Sequence, residues 1–171
     1  THPNIRRLNA IHRQLKIPEN YAERGLPLHW EASNLVTEAC GHDGSMRKMT
    51  RETRSKFLAM QVEAKEEGVT LLVRWGFRSI DDQAWLIREQ MSERGEDLQQ
   101  VLTWIAAPGY SEHHSGRALD FECIPPEMAF EDTMAFNWLG VNAARFKFQM
   151  SYPKENNFGI VYEPWHWCYQ N

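Results

Sequence analysis

Ser111-Glu112-His113-His114-Ser115-Gly116-Arg117-Ala118-Leu119-Asp120, followed near the C-terminal end by Glu163-Pro164-Trp165-His166-Trp167, holds the residues around which this 171-residue sequence organises. The first stretch joins a polar loop to residues 117–123, which read as a strand. The second opens into residues 165–169, a short terminal strand. A catalytic zinc site takes three protein ligands from histidine and carboxylate and leaves a fourth position for water. A histidine from the loop, an acid on the following strand and a histidine on the last strand supply that set. Gly116 and Ala118 are small enough for the backbone to turn and pass close to a bound ion or substrate. Glu163 stands an odd number of positions before His166, which on an unbroken strand puts the two side chains on opposite faces. Pro164 cannot donate to a ladder, so the chain is expected to break there and swing the carboxylate toward His166.

Outward from these stretches the sequence punctuates itself clearly. Thr50 caps a helix with apolar positions at Phe57, Leu58, Met60, Val62 and Ala64, and Gly68 stops it. Residues 69–77 are β-branched and apolar and read as a buried strand. Ser79 then caps a helix that carries Asp81 and Asp82 in its first turn and ends near Arg94 and Gly95. Shorter helices are expected over 5–15, 31–40 and 98–105, a long amphipathic one over 131–146, and terminal strands over 158–162 and 165–169. Helices and strands come in separate runs with short connections. The fold class is therefore α+β, a single domain with a small, mostly antiparallel sheet flanked by helices. Neither a βαβ alternation nor a glycine-rich phosphate loop is present.

Composition narrows the function. Hydrophobic residues make up 42% and charged residues 25%, which is ordinary for a globular chain and argues against disorder. The formal charge of −4, with both signs interspersed, excludes nucleic acid as the main partner. No apolar run approaches the length of a membrane span, and Thr1-His2-Pro3-Asn4 opens no basic-then-apolar leader. Cys40, Cys123 and Cys168 permit at most one bridge and read as small buried hydrophobes. His2, His12, His29 and His42 read as ordinary surface or hydrogen-bonded histidines. Seven Trp and eight Phe are a heavy aromatic load for this size; most are expected in the core, with room for some to line a groove.

The string SxHxxGxAxD followed by ExxH resembles the zinc D-alanyl-D-alanine carboxypeptidases of the VanY type, part of a wider group with the D-Ala-D-Ala dipeptidases and the hedgehog zinc fold. Gly76-Phe77-Arg78-Ser79 with Gln83, Pro108-Gly109-Tyr110-Ser111-Glu112-His113-His114, and residues 159–167 match that family in order. The resemblance implies one zinc ion held by His113, Asp120 and His166, with Glu163 as catalytic base. It implies Arg78 as the cation that meets the substrate, and Ser79, Gln83 and Ser111 as polar neighbours of the substrate. His113 takes the motif's ligand position, and His114 is expected to pack or support. Trp75 and Phe77 depart from the family's usual serine and tyrosine. Of the remaining aromatics, one or both of Trp165 and Trp167 are expected to pack behind the metal, with groove lining as the alternative, and Tyr110 and Trp104 are alternative wall residues. The implied catalytic domain is 49–171, with 1–48 a helical and irregular extension packed on it. The implied substrate is the peptide stem of bacterial peptidoglycan, cut by a monomer outside the cytoplasm or by a phage-type lysin. Removal of a terminal D-alanine is the leading reading. L,D-carboxypeptidase, endopeptidase and a zinc-retaining binding module are the alternatives.

Overall fold

In the computed structural model, which describes residues 3–95 and 97–171, six short strands and five helices build two hydrophobic clusters with a cavity between them. His2 lies outside the described residues. Helix α1 (Ile5–Leu15) buries Leu8, Ile11 and Leu15, a spacing that keeps them on one stripe. It lies against α3 (Ile80–Arg94), where Arg7 also pairs with Asp81. Strands β1 (Leu35–Ala39) and β2 (Met46–Thr50) form an antiparallel hairpin running directly into α2 (Arg51–Glu66). The Thr50 hydroxyl accepts the Thr53 N–H at 3.2 Å and so caps α2. Ser79 and Asp82 form a reciprocal capping box on α3, which closes at Gly95.

The second sheet is antiparallel throughout, in the order β3 (Val73–Trp75), β4 (Ala118–Phe121), β6 (His166–Tyr169), β5 (Phe148–Met150). Leu119 faces Trp167 across the central pair, and both enter the cluster that α2 and α5 (Met134–Asn142) cover with Phe57, Met60, Trp138 and Leu139. Each such side chain withdrawn from water contributes about 1.5–3 kcal/mol. The alternate register pair is Asp120 opposite His166, so two polar residues of the quoted stretches stand side by side on the other face. The second cluster joins α1, α3 and the short α4 (Leu98–Val101) through Leu8, Ile87 and Val101, with Leu102 and Ile105 just beyond α4.

Four expectations about elements are corrected. Residues 31–40 do not form a helix. Val36 and Thr37 favour extended backbone, and the turn at His42–Gly44, with Asp43 and Gly44 at positive φ, folds the chain back as a hairpin. The strand expected over 69–77 shrinks to Val73–Trp75, because the Val69 N–H is drawn to the Ala64 carbonyl and the register shifts between Val73 and Trp75. The long helix over 131–146 is helical only from Met134 to Asn142; Thr133 caps it, and a 3-10 turn with Lys147 at φ 62° ends it. Residues 158–162 are not a strand, since the Val161 N–H bonds the Thr103 carbonyl instead; the outer strand is Phe148–Met150. All three cysteines are free thiols, with Cys40 and Cys168 buried as expected.

Candidate active site

Backbone geometry delivers the key side chains from three directions. Ser111 caps a 3-10 turn over Glu112–Ser115, its hydroxyl accepting the His113 N–H at 3.3 Å. Gly116 ends that turn at φ +65°, where an added Cβ would stand 2.8 Å from a methyl of Leu35. The tight turn throws successive side chains apart, so that Glu112, His113 and His114 each meet different partners. Asp120 follows on β4 and His166 begins β6.

His113, Asp120 and His166 are all buried, and their ligand-type atoms lie within 4.8 Å of one another. Asp120 Oδ2 is 3.1 Å from His113 Nε2, and Oδ1 is 2.8 Å from His166 Nδ1. The His113 Nδ1 atom is 2.7 Å from the Gly76 carbonyl, which can only accept, so Nδ1 carries the ring proton. Burial holds His113 below the ordinary histidine range despite the adjacent carboxylate. Its Nε2 lone pair therefore faces a second acceptor. Burial opposes ionisation of Asp120, yet the two imidazoles hold it well below the usual carboxylate range. Two acceptors aimed at each other with no proton between them is an arrangement that a cation relieves. Two imidazoles and a carboxylate are also the donor set of a catalytic zinc site. These residues fit such an ion.

His114 is differently placed. Its Nδ1–H donates to the Arg78 carbonyl at 2.7 Å, and its Nε2 accepts the Gly109 N–H at 3.0 Å, so both ring nitrogens are occupied by backbone. Burial pushes its pKa down to about 4, and the ring stays neutral as a strut of the loop.

Around the triad lies a cavity of about 740 Å³. Glu163 reaches it because residues 164–165 make a turn, with the His166 N–H bonded to the Glu163 carbonyl at 3.1 Å. This puts Glu163 Oε2 at 3.8 Å from His166 Nδ1, on the same side as the triad. Burial lifts the Glu163 carboxyl to about 7, with Asp120 adding to the rise and His166 and Arg78 opposing it. Arg78 Nη1 donates to Gln83 Oε1 at 2.9 Å, and Gln83 Nε2 donates in turn to the Ala106 carbonyl at 2.7 Å. The Arg78 guanidinium lies 5.5 Å from the centre of the Trp75 ring, and both residues line the cavity.

The structure thus gathers His113, Asp120, His166, Glu163, Arg78, Gln83 and Ser111 at one cavity. It does not bring Ser79 there. The Ser79 hydroxyl is consumed in the α3 cap, donating to Asp82 Oδ2 at 2.6 Å. The two terminal tryptophans separate: Trp167 is buried and donates to the Pro164 carbonyl, whereas Trp165 faces the cavity with Trp104. Tyr110 is buried against Tyr21 and is not a wall residue. Two neighbours of the site carried no assignment from sequence. Glu112 accepts from His166 Nε2 at 2.9 Å, and the Tyr152 ring lies 4.9 Å from that of His166. The position of Glu112 beside His113 in the quoted stretch was the available signal; Tyr152 had none.

Comparison with known proteins gives the family. Residues 46–171 match the family model of VanY, D-alanyl-D-alanine carboxypeptidase. YodJ of Bacillus subtilis (strain 168) is 30% identical over 95% of this chain, and a D-alanyl-D-alanine carboxypeptidase of Enterococcus faecium is 32% identical over 69%. The chain spans 59% of the length of the first and 36% of the second. Among solved structures, VanYB in complex with D-alanine-D-alanine superposes with a TM-score of 0.66 at 26% identity, covering 80% of this chain and 77% of that one. The LD-carboxypeptidase LdcB gives a TM-score of 0.72 at 25% identity, covering 88% and 78%. By the extent of the match to its model, the chain belongs to the VanY family of D-alanyl-D-alanine carboxypeptidases.

Proposed function

We propose that this chain is a zinc metallopeptidase that removes the terminal D-alanine from the peptide stem of peptidoglycan, with His113, Asp120 and His166 holding the ion. The observation that carries the proposal is the convergence of those three buried side chains with Glu163 and Arg78 on a single cavity. Bound there, zinc supplies Lewis acidity that polarises a peptide carbonyl and acidifies water. The protein's own groups do the rest. Glu163, with a pKa lifted to about 7, is poised both to take a proton from the attacking water and to return it to the departing amine. The Arg78 guanidinium, fixed at one nitrogen by Gln83, has further N–H groups to offer a carboxylate or an oxyanion. An exopeptidase must recognise a free terminal carboxylate, and a planar fork suits that task better than a lysine would.

Under this reading Ser111 and Gln83 set the cavity wall, while Ser79 acts on α3 alone. Residues 1–48 serve as an extension packed on the catalytic part. His12 Nε2 sits 2.7 Å from the Pro108 carbonyl, and Glu31 accepts the Ile80 N–H at 2.8 Å, so this segment braces the loop and helix that flank the cavity. The peptidoglycan substrate class supports a site of action outside the cytoplasm; among the described residues no helix is long and apolar enough to cross a membrane. A second reading, cleavage of an L,D bond, is favoured by the likeness to LdcB.

Mass spectrometry of muropeptides after incubation with the zinc-loaded chain separates these outcomes. Pentapeptides shortened by one alanine support the first reading, and shortened tetrapeptides the second. Split cross-links would indicate an endopeptidase, and no product would indicate a zinc-retaining binding module. Glu163→Gln should keep zinc and lower turnover by roughly 10²–10⁴-fold. Unchanged turnover would remove Glu163 from the role of base.

A further inference from the structure

The side chain one residue ahead of His113 turns away from the triad and binds its third member from behind. Glu112 Oε2 is 2.9 Å from His166 Nε2, while the opposite ring nitrogen, Nδ1, faces Asp120. The same Glu112 oxygen accepts the Ser151 hydroxyl at 2.5 Å. Ser151 directly follows β5, and β5 pairs with β6, which His166 opens. The carboxylate is therefore anchored from a strand that is itself in register with the histidine it contacts. Glu112 is partly buried, so its charge has few competing partners from solvent.

We infer that Glu112, held by Ser151, is a positioning residue that selects the ring form of His166 and thereby fixes the metal site. A carboxylate stands at each ring nitrogen and can only accept; with Asp120 committed to the ion, the one proton of a neutral His166 is held at Nε2 by Glu112 and the Nδ1 lone pair is left for the ion. This mirrors, by side chain, what the Gly76 carbonyl does by backbone for His113, where Nδ1 is protonated and Nε2 is bare. The two histidines thus present different nitrogens because their partners lie on opposite sides of the triad. Carboxylate partners of this kind also raise the basicity of the ligand nitrogen, and their loss commonly lowers metal affinity 10–100-fold. Glu112 is not a ligand in this arrangement, since its oxygen meets the ring nitrogen opposite the one that faces Asp120. The inference rests on the reading of His166 as a metal ligand.

The test uses the full chain and Zn(II) alone. Zinc affinity is measured by competition with a chromophoric chelator for the wild type, Glu112→Ala, Glu112→Gln and Ser151→Ala. The ring form of His166 is read from long-range proton–nitrogen NMR of the zinc-loaded proteins. Glu112→Ala should weaken zinc binding about 10–100-fold and release the Nε2 proton to exchange. Glu112→Gln, whose amide oxygen still accepts, should lose less, and Ser151→Ala should shift affinity in the same direction by less than Glu112→Ala. Zinc affinity within twofold of wild type in Glu112→Ala, or a His166 Nε2 proton that exchanges with solvent no faster than in wild type, would overturn the inference. Should Glu112→Ala fail to fold, Glu112→Gln and Ser151→Ala decide it by the same readouts. A wild type that binds no zinc would instead overturn the metal reading itself.

Discussion

Replacing Gly76 by alanine should cost the protein both stability and metal, although Gly76 has no side chain to offer an ion. A Cβ built at Gly76 stands 2.4 Å from the backbone carbonyl oxygen of Lys48, where real Cβ contacts do not fall below 3.0 Å. One of the two segments must therefore move by at least about 0.6 Å, and the obstacle is backbone that cannot rotate aside. Two hydrogen bonds oppose the shift. The Phe77 N–H donates to that same Lys48 oxygen at 2.7 Å, and the Gly76 carbonyl accepts the His113 Nδ1–H at 2.7 Å. Overpacking of this kind costs about 1–3 kcal/mol, which for a chain of this size lowers the melting temperature by about 2–12 °C. Displacing the carbonyl also loosens the orientation of His113, so zinc affinity should fall about 10–100-fold. The control is Gly140→Ala. That glycine lies exposed inside α5 with nothing within 4 Å of its added Cβ, so the same substitution should stabilise by about 0.5–1 kcal/mol. Melting curves of the metal-free proteins and chelator competition on the zinc-loaded ones measure the two effects. A Gly76→Ala protein that melts and binds zinc like wild type would show that this backbone contact does not set the His113 geometry.

Three further outcomes follow from the same geometry. In the metal-free protein burial opposes protonation of His166, but Asp120 and Glu112 raise its pKa well above the ordinary histidine value. The ring is then protonated at pH 7, and zinc must displace that proton, so affinity should rise with pH by about one decade per unit. Titration calorimetry in buffers of different ionisation enthalpy should detect about one proton released per zinc at pH 7, and none would refute this protonation. Trp75 is 51% exposed and covers the Arg78 guanidinium, so Trp75→Ala should leave the melting temperature unchanged. Losing a cation–π contact of about 0.5–1 kcal/mol should raise KM about two- to fivefold at nearly constant kcat; an unaltered KM would separate Trp75 from Arg78. Thr50→Ala removes the cap of α2 and should destabilise by about 1 kcal/mol without changing zinc affinity, as thermal melts and chelator competition would show.

How far the sequence could be read depended on whether a signal was local. Capped helices were legible because caps act within one turn: Thr50 and Gly68 frame α2, and Ser79 and Gly95 frame α3, close to where the structure ends them. The reading of 31–40 as helix failed because the decisive partner lay elsewhere. Leu35–Ala39 is extended only because Met46–Thr50 returns beside it, and the turn at His42–Gly44 is the hairpin's bend. Residues 158–162 failed for the complementary reason: an apolar, β-rich run found its backbone partner at Thr103 rather than on a sheet edge. At the site, the ligand-type residues were visible because loop, strand and strand are each encoded near the residues they carry. What the spacing could not reveal was the direction in which each side chain departs. Glu112, His113 and His114 are consecutive, yet one meets His166, one meets Asp120, and one is enclosed by the backbone of Gly109 and Arg78. Three-residue periodicity explains this divergence, since each step around a 3-10 turn rotates the next side chain by about 120°. A run of polar residues in such a turn therefore serves three environments at once, and the chemistry of the site depends on that rotation as much as on the identity of the histidines.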